Sequence, residues 1–445
     1  MNPKAPNRLL IALLLGITSG ILLGGMAPEA GKAVQFLGEV FLKALFLMVV
    51  PLVMSSIIVG VSSLGDVRKL GPLGGRTVLY FMATTGLAVV IGLTLVLIIQ
   101  PGVALEKESA GIQASHQQGN GVSERMVDKP TTIGALLRTV LTGLVPQNLF
   151  AAMANAEVLP LIIFSLVFGA VLTTLGERGQ LVIRFFEGVN EAVMAMVHLL
   201  MWAAPIGIGA LIAGRLGEAG GFSGFWPQLA QLGAYAATVI IALAIHGVII
   251  LPLCLRFLGH QKVGTYAKNL STALTTAFST SSSSATLPLT MEGVIERQGV
   301  SPRIARFVLP LGATINMNGT ALYEAVAAIF IAQTYGIELG AGHTIIIFLT
   351  ATLAAVGAAG IPEAGLVTMV IVLKAVNLPL EGIALILVID WFLDRCRTTV
   401  NVWGDAVGAA VIHRLEEKGE PSQKNNPPVE KGSQGRRKIK IWKAF

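Results

Sequence analysis

Five polar residues recur near the C-terminal end of the chain, Asp390, Asp394, Arg397, Asn401 and Asp405, at spacings of 4, 3, 4 and 4. At 100° per residue all five fall within about 80° of one helix face. Thr398 borders that face and Arg395 points away from it. The flanks, Ile383 to Ile389 and Ala406 to Ile412, are apolar, so the stripe lies inside a helix of membrane-crossing length. At a bilayer centre each such charge costs about 2.5–3.5 kcal/mol on insertion scales, which makes it functional by default. An internal ion-pair seam, with Asp394 and Arg397 neutralising one another at i, i+3, is the structural alternative. Against it, three acids face one arginine on the stripe, leaving negative charge over for a cation. A planar guanidinium suits bidentate capture of a carboxylate, and a carboxylate such as Asp394 suits an ammonium. Together they describe a zwitterion with an acidic side chain.

Other polar residues interrupt apolar stretches upstream. The run Ser279-Thr280-Ser281-Ser282-Ser283-Ser284 offers hydroxyls and free backbone amides at a helix break, which suit an anionic group. Hydroxyls that merely bond back to their own helix are the structural reading. A nucleophilic serine has no evident base, because none of the six histidines lies between 261 and 342 and no GxSxG elbow occurs. In Asn316-Met317-Asn318-Gly319-Thr320, Gly319 loosens another helix, and freed oxygens there can bind a hard cation such as sodium. A simple kink is the alternative. Four positions on, Glu324 is an intramembrane carboxyl without a nearby sequence partner, a proton carrier or a shared polar contact.

These residues need elements to hold them. Of 445 residues, 53% are hydrophobic and 13% charged, against about 25% charged in soluble domains. A chain so short of charge cannot coat a soluble surface of this size. Disorder is excluded by the apolar content, and a disulfide scaffold by the presence of only Cys254 and Cys396. The net charge is +7, but the stretch from Arg414 onward holds nine Lys/Arg against four Asp/Glu. A near-neutral apolar body with a basic tail marks a cytoplasmic membrane flank rather than a nucleic-acid site. The class is an all-α polytopic membrane protein.

Apolar spans are expected at 9–27, 34–62, 76–100, 157–175, 188–214 and 230–257. The first reads as an anchor rather than a signal peptide, since no clear small-x-small cleavage site follows. Lys/Arg-rich loops alternate with poorer ones, which places both termini in the cytoplasm and the polar stretch 105–130 outside. Past 262, segments 271–292 and 345–374 are interrupted, the second by Val356-Gly357-Ala358-Ala359-Gly360-Ile361-Pro362. Each precedes a helix with its own irregularity. Paired interrupted segments point to a transporter site built on inverted repeats.

Together these segments resemble the dicarboxylate/amino acid:cation symporter family, the glutamate transporters, over roughly 8–418 and most specifically over 275–410. The hallmarks are Ser281–Ser284, the NMDGT-like Asn316–Thr320, the tip Gly357–Pro362, and Asp394-Arg395-Cys396-Arg397-Thr398 with Asn401 and Asp405. Pro51-Leu52 and the stretch Tyr80 to Thr85 belong to the same likeness. The resemblance implies eight transmembrane helices, two re-entrant hairpins, a homotrimer and an elevator-type motion in the cell membrane. Residues 1–260 become mainly scaffold, with the third span joining the transport domain. Residues 261–418 become the transport core, and 419–445 a basic cytoplasmic tail. Uptake of glutamate or aspartate with sodium, and with proton or potassium coupling as a further expectation, is the implied activity; no cofactor and no enzyme activity are implied.

Carried over by position, Arg397 with Thr320 meets the substrate's side-chain carboxylate, and Asp394 its amino group. Asn401 with Ser283 takes the α-carboxylate, while Ser281, Ile361 and Gly365 complete the pocket and Thr398 lines it. One sodium falls to Asp405 with Gly312, Asn316 and Asn401. A second falls among Thr314, Met317, Ala355, Val356 and Ala358. A third uses Thr84, Thr85, Asn316, Asn401 and the acid of the NMDGT motif. That acid is Asn318 here, which puts the sodium count in question. Glu324, Arg395 and four consecutive serines resemble the branch that also moves protons and counter-transports potassium; Glu363 is a further departure. A C4-dicarboxylate or neutral amino acid symporter and, in another class, an anion channel stand as alternatives. Arg397 argues against the neutral substrate, Asp394 against the simple dicarboxylate and against a channel.

Overall fold

The computed structural model describes residues 5–62, 71–103, 146–155, 158–356, 360 and 364–419. Among them the regular structure is helical, with no strand. The stretch 105–130, the tail beyond 419, and Gly357, Ala358, Ala359, Ile361, Pro362 and Glu363 lie outside the described residues.

The N-terminal part holds α1 (Ala5–Met26), α2 (Pro28–Leu47), α3 (Val49–Ser62) and α4 (Gly71–Ile99). After α5 (Leu149–Ala154) come α6 (Val158–Thr174), α7 (Glu177–Met201), α8 (Ala204–Glu218) and α9 (Phe222–Ala244). A π-helical turn over Ile245–Ile250 carries α9 into α10 (Leu251–Phe257). Two expected spans therefore divide. The 34–62 stretch breaks at Met48, just ahead of Pro51, whose missing N–H sits within the first turn of α3. The 188–214 stretch breaks at Trp202 and Ala203, where i→i−3 bonds tighten the end of α7 before Pro205 starts α8.

The C-terminal part is a series of broken helices. After α11 (Val263–Asn269), α12 (Ser271–Thr280) and α13 (Ser283–Glu292) fold back on each other. Ser281, at φ 51°, ends α12 in the left-handed conformation, and the Ser282 side chain caps α13 by accepting from the Ala285 N–H. Next come α14 (Pro302–Ile315) and α15 (Asn318–Thr334), separated by Asn316 and Met317. Then α16 (Ala341–Val356) and α17 (Ala364–Ala375) pack as a second pair before α18 (Ile383–Gly419). A helix–break–helix thus occurs at the serine tract, and α16 and α17 flank the Gly/Ala run.

Among the described residues, three helical stretches are long and apolar enough to cross a membrane by length and composition: Gly71–Ile99, Leu229–Phe257 and Pro302–Thr334. Shorter apolar helices include Leu15–Met26, Val50–Ser62, Pro160–Thr174 and Ala341–Val356. The core centres on α15, every residue of which from Asn318 to Ala332 is buried against α4, α9 and α16 to α18. A second cluster joins α10, α12, α14 and the C-terminal half of α18. On the outside, Leu79, Leu181, Leu199 and Val248 are each more than 70% exposed, an apolar surface suited to lipid rather than water.

Candidate functional site

The stripe on α18 is interior. Asp390, Asp394, Arg397, Thr398, Asn401 and Asp405 are all buried, and Arg397 has no exposed surface. Its Nη2 donates to Asp394 Oδ1 at 2.8 Å, and its Nη1 lies 3.1 Å from Asp390 Oδ1. The guanidinium carbon sits 3.8 Å from the centroid of the Tyr323 ring on α15. Such a cation–π contact, fully desolvated, contributes about 2 kcal/mol. Removing one partner of a buried pair of this kind costs about 3–5 kcal/mol. Arg397 is nevertheless not saturated: its Nε and Nη1 have no aligned hydrogen-bond acceptor among the described residues. The buried Nε–H is thus available on the planar edge of the guanidinium, the geometry that a carboxylate matches.

Close packing brings two helix starts to this arginine. A Cβ on Gly319, at the start of α15, would come within 2.7 Å of the Arg397 carbonyl oxygen, so only glycine lets the two backbones approach. The Gly319 N–H donates to Asn401 Oδ1 at 2.8 Å, and Asn401 Nδ2 donates to Thr320 Oγ1 at 3.2 Å. Gly365, at the start of α17, is 2.9 Å from Arg397 Nη1 and 3.3 Å from Thr320 Cγ2, measured from where its Cβ would stand. The start of α13 is tied to the same region through the other hairpin. Ser282 Oγ donates to the Gly360 carbonyl at 2.7 Å, and the Ser284 N–H donates to it at 3.1 Å. Ser281 and Ser283 are buried at that tip. The structure therefore gathers Thr320, Gly365, Asp394, Arg397, Thr398 and Asn401, with the serine tip alongside.

The expected sodium ligands fall into two surroundings. Asn316 Nδ2 donates to Asp405 Oδ1 at 2.9 Å, and that oxygen stands 2.5 Å from where a Gly312 Cβ would be. Gly312 thus lets a buried carboxylate rest on the backbone of α14. Thr314, whose hydroxyl bonds back to Leu311, precedes the break at buried Met317, and Ala355 and Val356 end α16, buried. The third set differs. Thr84 bonds back to Tyr80 and Phe81. Thr85 Oγ1 donates to Asn318 Oδ1 at 2.6 Å, and Asn318 Nδ2 lies 3.1 Å from His246 Nε2 in the π turn after α9.

Glu324, completely buried, accepts a hydrogen bond from the Thr368 hydroxyl of α17. Arg395 stands apart from the stripe, donating to the Trp391 carbonyl with its guanidinium 5.5 Å from that indole ring. Sequence reasoning missed Tyr323, Thr368 and His246. Tyr323 is three residues beyond Thr320, so helical spacing alone places it on the pocket face. A lone histidine in an apolar span carries no comparable pattern.

The sodium:dicarboxylate symporter family matches the chain over residues 7–415. Human excitatory amino acid transporter 3 is 40% identical, the alignment covering 92% of this chain and 84% of that one. Excitatory amino acid transporter 1 of Ambystoma tigrinum is 39% identical over 92% of this chain and 83% of its own length. The human neutral amino acid transporter B(0) is 38% identical over 93% and 81%. With a match across nearly its whole length and relatives at this identity, the chain belongs to the sodium:dicarboxylate symporter family.

Proposed function

We propose that this protein takes up glutamate or aspartate across the cell membrane, driven by sodium. One observation carries the reading: a fully buried Arg397 whose Nε has no acceptor among the described residues, with Asp394 2.8 Å from Nη2 and Asp390 3.1 Å from Nη1. A substrate carboxylate takes the fork, and its ammonium takes Asp394, so that one ligand satisfies both groups. Thr320 and Asn401 border the fork, and Ser281, Ser283, Ile361 and Gly365 close the pocket from the two hairpin tips. Excitatory amino acid transporters among the relatives support the acidic substrate. The neutral amino acid relative matches nearly as well, so the choice rests on Arg397 rather than on overall identity.

Sodium is a co-transported substrate here. Asp405 with Gly312, Asn316 and Asn401 would hold one ion, a buried carboxylate on exposed backbone suiting a hard cation. Thr314, Met317, Ala355, Val356 and Ala358 would hold another. Substrate and sodium raise each other's affinity by an equal factor if both favour the same closed arrangement of the hairpin tips. Glu324 serves as the proton-coupling group. Residues 1–260 form the scaffold of a homotrimer, with α4 joining the moving part, and 261–418 form the elevator, its two hairpins re-entrant within an eight-span architecture. Both termini, with the tail 419–445, face the cytoplasm.

The test is uptake of radiolabelled aspartate, glutamate, succinate and serine by purified protein in liposomes. Accumulation of the acidic amino acids with external sodium, and none with choline at matched pH, is the expected result. Arg397→Cys abolishes acidic uptake and admits a neutral amino acid; unchanged aspartate affinity would show the pocket to be misplaced.

A further inference from the structure

We infer that the Thr85–Asn318–His246 chain replaces a third sodium site, so that this transporter couples two sodium ions per substrate rather than three. The inference rests on the proposed sodium symport, and concerns only its ratio.

The observation is what the five side chains of the third set do with their atoms. Thr84 donates to backbone carbonyls of its own helix at 3.0 and 3.1 Å. Asn401 Oδ1 accepts from Gly319 and its Nδ2 donates to Thr320. Asn318 Oδ1 accepts from Thr85, and its Nδ2 faces His246 Nε2. In this orientation the Asn318 oxygen faces Thr85 and its amide nitrogen faces the imidazole. At Gly404 the amide nitrogens gather: a Cβ there would lie 2.9 Å from Asn316 Nδ2 and 3.3 Å from Asn318 Nδ2. An amide N–H has no lone pair to offer a cation. None of the five side chains is a carboxylate, and Thr85 and Asn318 bond each other while Asn401 bridges Gly319 and Thr320.

Charge points the same way. A cation held mainly by side chains, as in the third set, gains most from a carboxylate among them, whereas the backbone oxygens of the second set need none. Asn318 is completely buried and neutral, and the imidazole beside it is a group that would become cationic, not anionic. His246 therefore occupies the side of Asn318 that an acid would have offered to an ion. Its π turn is what delivers it: the widened turn between α9 and α10 brings one ring nitrogen to α15. The three residues come from α4, the π turn and α15, and brace their junction without charge.

The deciding experiment measures the coupling exponent thermodynamically. Proteoliposomes containing the full chain are loaded with radiolabelled aspartate and held at zero membrane potential, with equal pH and potassium on both sides. The aspartate ratio at which net flux vanishes is then recorded against the imposed sodium ratio. A logarithmic slope of two is expected; a slope of three overturns the inference. The exponent does not depend on turnover rate, so slow protein reads as well as fast. Asn318→Asp is expected to raise the slope to three, and a slope still at two in that variant would show that Asn318 is not the cause. Should Asn318→Asp fail to insert, the slope of the unmodified protein decides alone. If no sodium-dependent accumulation is seen at all, the proposed function falls and this inference with it.

Discussion

Gly365→Ala adds a single methyl group at the edge of the proposed pocket and removes no polar atom. Locally the change is favourable: Gly365 is helical with ordinary φ, and alanine in a helix is about 1 kcal/mol better than glycine. The cost lies across the pocket. The new Cβ would stand 2.9 Å from Arg397 Nη1, 3.2 Å from its Cζ and 3.3 Å from Thr320 Cγ2. Relief requires the guanidinium to withdraw by about 0.5 Å to reach ordinary contact. A guanidinium is normally free to do so, but this one is held by Asp394, Asp390 and the Tyr323 face. Overpacking a held group costs about 1–3 kcal/mol. The apparent aspartate affinity in the liposome assay should therefore fall by roughly 5- to 150-fold, with thermal stability nearly unchanged. Gly233→Ala, in α9 with open space around it, is the matched control and should leave affinity as it was. Equal affinities for the two variants would refute the placement of Arg397 against the start of α17.

Three further outcomes follow from individual contacts. Gly312→Ala puts a Cβ 2.5 Å from Asp405 Oδ1, so half-saturating sodium rises at least tenfold while the order of substrate preference stays; unchanged sodium dependence would remove Asp405 from the cation site. Tyr323→Leu keeps an apolar side chain but removes the ring beneath Arg397, and the loss of about 2 kcal/mol weakens acidic substrates roughly 30-fold; Gly233→Ala is again the control, and an aspartate affinity unchanged in Tyr323→Leu would count against the contact. Arg215 of α8 donates to the Tyr335 hydroxyl at 3.0 Å and the Glu381 carbonyl at 3.1 Å, tying the first part of the chain to the second. Arg215→Ala should speed aspartate exchange up to about tenfold, the worth of a partly solvated pair of bonds, and an unaltered rate would mean that this tie does not resist the transport motion.

Helix content, the two interrupted pairs and the interior stripe on α18 were legible in the sequence because each rests on a periodic or compositional signal. Apolar runs of fixed length give spans, and 100° per residue puts Asp390 to Asp405 on one face. The breaks inside 34–62 and 188–214 were not legible from hydropathy, since both sides of Met48 and of Trp202-Ala203 are equally apolar. Local backbone preference, through Pro51 and Pro205, decides there. Tertiary pairings were the least legible. Nothing in the spacing of His246 and Asn318, 72 residues apart, shows that they meet. Similarly, the bond between Ser282 and Gly360 depends on how two hairpins dock, which no local pattern records.

The exchange of Asp for Asn in the NMDGT-like motif makes sense when charge is followed through the loaded site. Asp390, Asp394 and Asp405 against Arg397 give the buried stripe a formal charge of −2. Two sodium ions neutralise it, and an acidic amino acid then brings the assembly to −1. Were residue 318 an aspartate, the protein would start one charge lower, and a third sodium would return the loaded state to the same −1. Losing the acid and the ion together therefore leaves unchanged the charge that must pass through the membrane in the loaded form, where each costs several kcal/mol to bury. Losing either alone would not. What does change is the driving force. A sodium ion entering down a tenfold gradient contributes about 1.4 kcal/mol, and a potential of 100 mV about 2.3 kcal/mol more. If two sodium ions rather than three are coupled, each substrate molecule is driven by about 3.7 kcal/mol less, and the steepest aspartate gradient sustained would be lower by roughly 500-fold.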